Sequence, residues 1–316
     1  MAVSVCVGSR MRRFGSMGVA SLLLLALSAL APSCGFKARA AETVIDAFGR
    51  TVAPGPATRI LTLGSDVTEI VHALGAGGRI IGVDRGSKYP ASVAGKPNVG
   101  YRRQLAVEGL LALGPDLILA AEDSGPPEAV EVLKSLAVPV VFIPEDNTPE
   151  GIGRKIALIA AATSLEDKGS ELSGDVIEAF RSAADLAAKV PPERRKKVVF
   201  FHGLVRLSAA GSGTAADAII RHAGGINPMA EVRGYKAASE EKLIEMAPDV
   251  ILMMSDGKGG PTVDQVFGTR ALSATPAAAN RALIVLDGAY MIGFGPRTAD
   301  AIRDLARALY PDIAGR

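Results

Sequence analysis

The sequence predicts an α/β fold in two similar lobes, each with a mainly parallel sheet flanked by helices, and a long helix between them. Two observations carry this. Short apolar runs alternate with stretches of helical periodicity along most of the chain, the pattern of parallel strands buried on both faces. A segment also recurs. Residues 108–119 (EGLLALGPDLIL) align with residues 241–252 (EKLIEMAPDVIL) at an offset of 133, pairing Glu108 with Glu241, Pro115 with Pro248 and Asp116 with Asp249. Each copy reads as a helix, a Pro-Asp turn and a buried strand. A length of 316 residues leaves room for two domains.

The chain begins with an export signature. Arg10, Arg12 and Arg13 form a basic segment, and 17–31 is an apolar, leucine-rich run of about 15 residues, short for a membrane span. Ala38-Arg39-Ala40 is a small-x-small cleavage site, so 1–40 is expected to be a signal peptide. Both cysteines, Cys6 and Cys34, precede it. Cys34 leaves a lipoprotein alternative open, although Pro32 makes a poor acceptor context. The signal holds five of the 35 Lys/Arg and no acid, so the mature chain carries 30 Lys/Arg against 33 Asp/Glu, a net charge of −3. The formal +2 belongs to the leader, and no bulk attraction to nucleic acid follows. A composition of 48% hydrophobic and 22% charged residues is ordinary for a globular α/β protein.

The elements follow in order. Residues 46–56 carry turn signals at Gly49, Pro54, Gly55 and Pro56. A strand is expected over 59–63, then a turn at 64–66 with Ser65 or Asp66 as the helix cap, then a helix with Val67, Ile70, Val71 and Leu74 on one face and Gly75 as its stop. Strands at 80–83, 117–121 and 138–143 alternate with helices at 105–113 and 126–137. Thr148-Pro149-Glu150 opens the next helix with a cap, a first-position proline and an acid in the first turn. Residues 165–189 read as a helix of roughly 35 Å, with Leu172, Val176, Phe180, Ala183 and Leu186 on one face; it suits a rigid connector or an ordinary surface helix. Beyond Pro191-Pro192, strands are expected at 197–201, 249–253 and 282–286, with helices at 215–223, 240–246 and 296–309. The domain reading is 41–164, a bridging helix at 165–190, and 191–316.

One loop carries distinctive chemistry. In Asn98-Val99-Gly100-Tyr101-Arg102-Arg103, a tyrosine follows a glycine and precedes two arginines. A neighbouring cation favours phenolate, a hard oxygen ligand suited to ferric iron and one of the known axial ligands of haem. Arginine can brace that oxygen or fork onto a carboxylate. A plain loop tyrosine with solvated arginines is the alternative on spacing alone.

The segment 99–120 resembles the tyrosine-bearing loop of the periplasmic haem-binding proteins of bacterial haem ABC importers. Arg59 to Gly64, Asp66 to Gly75, Gly82 to Arg85, Tyr89-Pro90, Gly211 to Asp217, Gly234-Tyr235-Lys236 and Gly293 to Arg297 match in order, so the likeness spans about 58–310. The resemblance implies the helix-bridged, class III periplasmic binding protein fold. It implies Tyr101 as haem iron ligand. His202, which follows the strand 197–201, is a second candidate ligand, for the same iron or a second haem, with a hydrogen-bonded loop histidine as the alternative. Arg102, Arg103, Tyr235 and Lys236 would line the haem pocket; Met291, just past a strand end, is read as a pocket residue too, although core packing fits it at least as well. Tyr235 and Lys236 are placed on a loop, and Met253, Met254 and Phe294 serve a pocket wall or core packing equally. Glu108 and Glu241, one per lobe, would dock on the permease; a helix-start acid favoured by the dipole fits both too. His72 and His222 read as structural. Haem is then a transported ligand, and the partners are the permease and its ATPase, with the protein itself a periplasmic monomer.

Other classes fit less well. Gly211-Ser212-Gly213-Thr214-Ala215-Ala216 matches a dinucleotide fingerprint with Glu231 20 residues beyond Gly211, but a glycine turn capped by Thr214 explains it. No nucleophile elbow or metalloprotease motif occurs, so no enzyme is expected. Three histidines without a cluster make a poor free-metal site. A ferric siderophore or cobalamin binder of the same fold is the nearest competitor. The export reading predicts that the mature protein starts at Ala41 without lipid; its intact mass decides, and a start at acylated Cys34 would overturn it.

Overall fold

The computed structural model describes residues 43–256 and 259–312; the leader, both cysteines and the cleavage site lie outside the described residues. A hairpin of β1 (Val44–Ile45) and β2 (Thr51–Val52) comes first, where the sequence offered only turn signals. Asp46 closes it, accepting the Phe48 and Arg50 backbone N–H groups at 3.0 Å each and pairing with the Arg50 guanidinium at 2.6 Å. Then follow β3 (Ile60–Leu63), α1 (Ser65–Val71), β4 (Ile80–Val83), α2 (Val107–Leu111), β5 (Leu117–Ala121), α3 (Pro127–Lys134) and β6 (Val140–Ile143). These strands form a wholly parallel sheet in the order β4-β3-β5-β6.

Two helices lead out of this sheet. In α4 (Pro149–Thr163), Thr148 accepts the Gly151 N–H at 2.9 Å and Pro149 takes the first position, as its sequence predicts. The 23-residue α5 (Glu166–Ala188) packs along α4 and buries Val176, Phe180 and Ala183, with Ala187 rather than Leu186 turned inward. Gly169 is what lets the two helices touch: a Cβ there would lie 2.3 Å from the Ala160 Cβ.

The second sheet is built from β7 (Val198–Phe201), β8 (Ser208–Ala210), α6 (Ala215–His222), β9 (Tyr235–Ala237), α7 (Glu240–Met246), β10 (Val250–Ser255), α8 (Val263–Phe267), α9 (Arg270–Ser273), α10 (Pro276–Ala279), β11 (Leu283–Asp287), α11 (Gly288–Ile292) and α12 (Thr298–Leu309). Its order is β11-β10-β7-β8-β9, with β7, β10 and β11 parallel and β8 and β9 antiparallel. Tyr235 and Lys236 thus lie in a strand, not in the expected loop. The pairing of Ala210 with Tyr235 across the β8–β9 ladder supplies the order that their short, polar sequences do not announce.

Period-two alternation divides each strand between two cores. In the first sheet Ile60, Leu117 and Leu119 face one side and Leu61, Ile118 and Phe142 the other. In the second, Val198, Phe200 and Leu252 face one side and Val199, Phe201 and Ile251 the other. The first-named sets belong to a single apolar core, continuous through Ile156, Phe180, Ile219, Ile302 and Leu305 of α4, α5, α6 and α12. The outer faces are covered separately, by α2 and α3 over one sheet and by α7, α8 and α9 over the other.

The sequence repeat is a structural one. Asp116 accepts the Thr58 and Arg59 N–H groups at 2.8 Å each, just ahead of β3, and its own N–H bonds the Arg59 carbonyl. Asp249 accepts the Lys197 N–H at 2.7 Å, just ahead of β7, and returns its N–H to the Lys197 carbonyl. The Pro-Asp turn therefore staples the start of each lobe's central strand to its neighbour.

The expected cap at Ser65 or Asp66 does not form. Gly64 is the capping residue and no side chain bonds the first turn of α1. Asp66, 4% exposed, instead pairs with the fully buried ammonium of Lys155 on α4. Lys155 also donates to the Phe294 carbonyl at 3.5 Å and lies 3.7 Å from Glu145. Phe294 is a non-glycine residue at φ 48°, a conformation that needs such support. Nearby, Arg297 makes a two-pronged pair with Glu69 of α1 at 2.8 and 2.5 Å, its guanidinium 3.8 Å from the Tyr89 ring centre. Removing one partner of a buried pair strands the other charge. Lys155→Met is therefore expected to lower stability by about 3–5 kcal/mol in urea unfolding, and Asp66→Leu added to it to restore most of the loss.

Candidate ligand-binding site

The Tyr101 loop is held at the carboxyl ends of the first sheet, where open α/β sheets place their ligands. Residues 97–100 run beside β4: Val83 N–H donates to the Pro97 carbonyl, Val99 N–H to the Val83 carbonyl, and Arg85 N–H to the Gly100 carbonyl at 2.7 Å. Gly100 turns the chain at φ 92°, with its N–H held by the Asn98 side chain at 2.9 Å. The far side of the loop is tied to the end of β5. Gly125 N–H donates to the Arg102 carbonyl and Leu105 N–H to the Gly125 carbonyl, at 2.9 and 2.8 Å. Tyr101 is thus carried across the top of the sheet on a bridge fixed at both ends.

Its charged surroundings are divided unequally. Arg102 grips Asp123 through both prongs at 2.9 and 2.6 Å. Arg103 donates to the Tyr101 hydroxyl at 3.1 Å and also meets Asp123. Burial works against the Arg103 charge, but Asp123 and the Tyr101 oxygen outweigh it and raise its pKa. A third arginine, to which the sequence gave no role, completes the set. The Arg85 guanidinium lies 4.9 Å from the Tyr101 ring centre, and no carboxylate pairs with it among the described residues. Asp84 places it: this buried carboxylate accepts the Gly64 and Gly86 N–H groups at 3.0 and 2.9 Å and the Ser87 hydroxyl at 2.5 Å. The signal was available as Asp84-Arg85 directly after a strand. Behind the loop, at the end of β6, the Glu145 carboxyl is pushed up to about 7 by burial and the Asp66 charge, against the pull of Lys155.

The second sheet presents an aromatic wall. His202, past the end of β7, packs with tilted rings on Tyr235 of β9 at 4.5 Å and edge-on against Phe200 at 5.2 Å. Burial among these rings, then the charge of Arg103, lowers the His202 pKa. Burial raises the Tyr235 phenol, opposed by Arg103 and a hydrogen bond to Thr214. Arg103 therefore lies near enough to act on both rings, and the structure brings Tyr101, Arg102, Arg103, His202 and Tyr235 together. Lys236 is not brought with them: strand alternation sends it to the face opposite Tyr235.

Met291 is a correction. It is 0% exposed, packed on α11 in the shared core, and so cannot line a pocket. The helix α11, unannounced in the sequence, turns it inward. Met253 and Phe294 are core residues as well, each 1% exposed. His222 packs edge-on against Phe180 at 4.7 Å, and His72 bonds Ser92 at 3.1 Å. Glu108 and Glu241 stand exposed, each the second residue of its helix. The glycine turn at 211–214 follows β8, an antiparallel strand, where a dinucleotide fold needs a parallel one. Thr214 caps α6 by accepting the Asp217 N–H at 3.1 Å. Among the described residues no three His, Cys, Asp or Glu converge as a metal site. An open recess of about 800 Å³ along α5 and Arg303 holds none of the loop or wall residues.

The family model described as "Periplasmic binding protein" matches residues 60–290. Among solved structures, a periplasmic heme-binding protein from Roseiflexus sp. RS-1 is 36% identical, covering 81% of this chain and 98% of its own at a TM-score of 0.75. A periplasmic heme-binding protein of Vibrio cholerae is 35% identical over 80% of this chain and 99% of its own, with a TM-score of 0.70. A vitamin B12-binding protein of Vibrio parahaemolyticus is 26% identical over 256 residues, 80% of this chain and 89% of its own.

The raised carboxyl of Glu145 predicts a pH dependence. Against an ordinary value of 4.5, a folded pKa of about 7 means the folded protein binds the extra proton between those values. The resulting stability is complete below pH about 4.5 and is lost as pH rises through about 7. It amounts to about 2 kcal/mol, less than the full shift implies because the side chain is partly open. Urea midpoints should therefore fall between pH 5 and 7.5 in the wild type, and Glu145→Gln should flatten that fall.

Proposed function

This chain belongs to the periplasmic binding protein family, and on that premise we propose that it captures haem outside the cytoplasmic membrane and delivers it to the permease of an ABC importer. The carrying observation is the Tyr101 hydroxyl with Arg103 donating to it, on a fixed loop facing His202 and Tyr235. Haem is the transported ligand. Tyr101 is its iron ligand, and the Arg103 charge stabilises the phenolate that iron requires. His202 is the candidate second ligand from the facing wall; its lowered pKa favours the neutral, metal-binding imidazole. Arg102, held by Asp123, keeps the loop in place rather than meeting the cargo. Arg85 takes the role of carboxylate partner, since its guanidinium is the one at the loop without an acid. Tyr235 offers its ring to the macrocycle face.

In the same reading 1–40 is a cleaved signal, the lobes are 41–164 and 191–316 joined by a bridging helix at 165–190, and the mature protein acts as a monomer that catalyses nothing. Glu108 and Glu241 are its permease contacts. The competing cargo is a ferric siderophore or cobalamin, and the vitamin B12-binding relative favours keeping cobalamin as the comparison ligand.

An absorbance titration of the mature protein with ferric haem and with cobalamin tests the reading. Outer partners of a metal ligand alone are worth about 10–100-fold in affinity. Tyr101→Phe should therefore cost at least about 100-fold and abolish the phenolate-to-iron band. Arg85→Ala should leave the band intact, weaken haem about tenfold, and leave the affinity for haem dimethyl ester unchanged. An unaltered spectrum in Tyr101→Phe removes Tyr101 as ligand, and a wild type that binds cobalamin but not haem removes the cargo assignment.

A further inference from the structure

The repeat carries more than its glutamates. Leu111 and Ile244 occupy the same place in the two copies, three residues after Glu108 and Glu241. They are 37% and 49% exposed, whereas the preceding residues of each copy, Leu110 and Leu243, are fully buried. Three residues along a helix brings two side chains to one face. Each lobe therefore shows solvent a carboxylate with a branched aliphatic beside it.

A single exposed leucine says nothing. The pair is informative because the surrounding positions have diverged within the same chain. Val107 corresponds to Glu240, Gly109 to Lys242 and Ala112 to Glu245, so charge and size vary freely around two positions that do not. The glutamates are also uncommitted. Glu108 has no side-chain partner among the described residues, and Glu241 bonds only its own backbone and the Ser239 hydroxyl. Neighbouring acids do find cations: Glu240 meets Arg270 at 3.4 Å and Glu245 meets Lys242 at 3.1 Å.

We propose that Leu111 and Ile244 are the apolar anchors of a two-point docking surface for the importer's permease, a partner with two equivalent subunits that each present a cation beside an apolar recess. Two matched patches on one chain fit two matched sites on a dimer. The division of labour is physical: an exposed acid steers approach and register, and an aliphatic that becomes buried slows dissociation. This rests on the importer reading above.

The test is binding of the haem-loaded protein to a purified haem-importer permease–ATPase complex in lipid nanodiscs. Leu111→Ser and Ile244→Ser should each weaken binding about tenfold, and together about 100-fold, because distant sites add. Their salt dependence should match the wild type's, while Glu108→Gln with Glu241→Gln should flatten it. The haem spectrum should stay unchanged in all four variants, and the urea midpoint should fall only in the serine variants, by the small amount that losing their half-covered apolar surface implies. A double serine variant that binds the complex within twofold of wild type overturns the anchors while leaving the importer reading standing. A wild type that binds haem but never the complex overturns both the surface and the partner.

Discussion

A full positive charge without solvent access sits between α1, the chain just past β6 and the 293–297 turn. Lys155 satisfies it with Asp66 from one lobe, Glu145 from just past that lobe's last strand, and the Phe294 carbonyl from the other. An ammonium in such a place is tolerable only while every partner stays put. The positions of α1, β6 and the 293–297 turn are therefore mutually conditional. Arg297 and Glu69 repeat the device a short way off. A polar seam thus borders the continuous apolar core, and the strand ends that carry the candidate site residues are referenced to it.

The charges around Tyr101 are unequally committed. Three arginines surround one tyrosine, and Asp123 takes up two of them. What is left for a ligand is one phenol oxygen, one guanidinium and a wall of rings. That combination suits a flat, apolar body bearing a Lewis-acidic centre and a peripheral acid. Arg102 and Arg103, adjacent in sequence, still differ: Arg102 gives both prongs to Asp123, whereas Arg103 divides itself between Asp123 and the phenol.

Much of the fold was legible in the sequence because its strands are buried on both faces and its turns are marked. Strands at 80–83 and 117–121 and the helix at 240–246 have their expected limits, and the Pro-Asp repeat announced two equivalent units. What escaped detection depends on contacts distant in sequence. Strand β9 is three exposed residues that exist only as the partner of β8. Ser65 and Asp66 read as caps because their type favours it, but a lysine 89 residues away outbid the backbone for Asp66. Met291 looked like a pocket wall because methionine often is one, and a short helix turned it into the core. At the site, Tyr101, Arg103 and His202 could be picked out by residue type and strand-end position. Arg85 stood in view as Asp84-Arg85 directly after a strand, but that no acid pairs with it depends on tertiary contacts that no local pattern records.

The bridge that carries Tyr101 has one further consequence. Its backbone is bonded to β4 on one side and to the end of β5 on the other, so the entropy of fixing the loop is lost during folding rather than on encounter. In the proposed capture the Tyr101 backbone needs no rearrangement. The rate of uptake is left to diffusion and orientation, and differences in grip between cargoes register as differences in how long each one stays. A scavenger working at scarce ligand concentrations gains most from that arrangement, since it commits on first contact and discriminates by residence time.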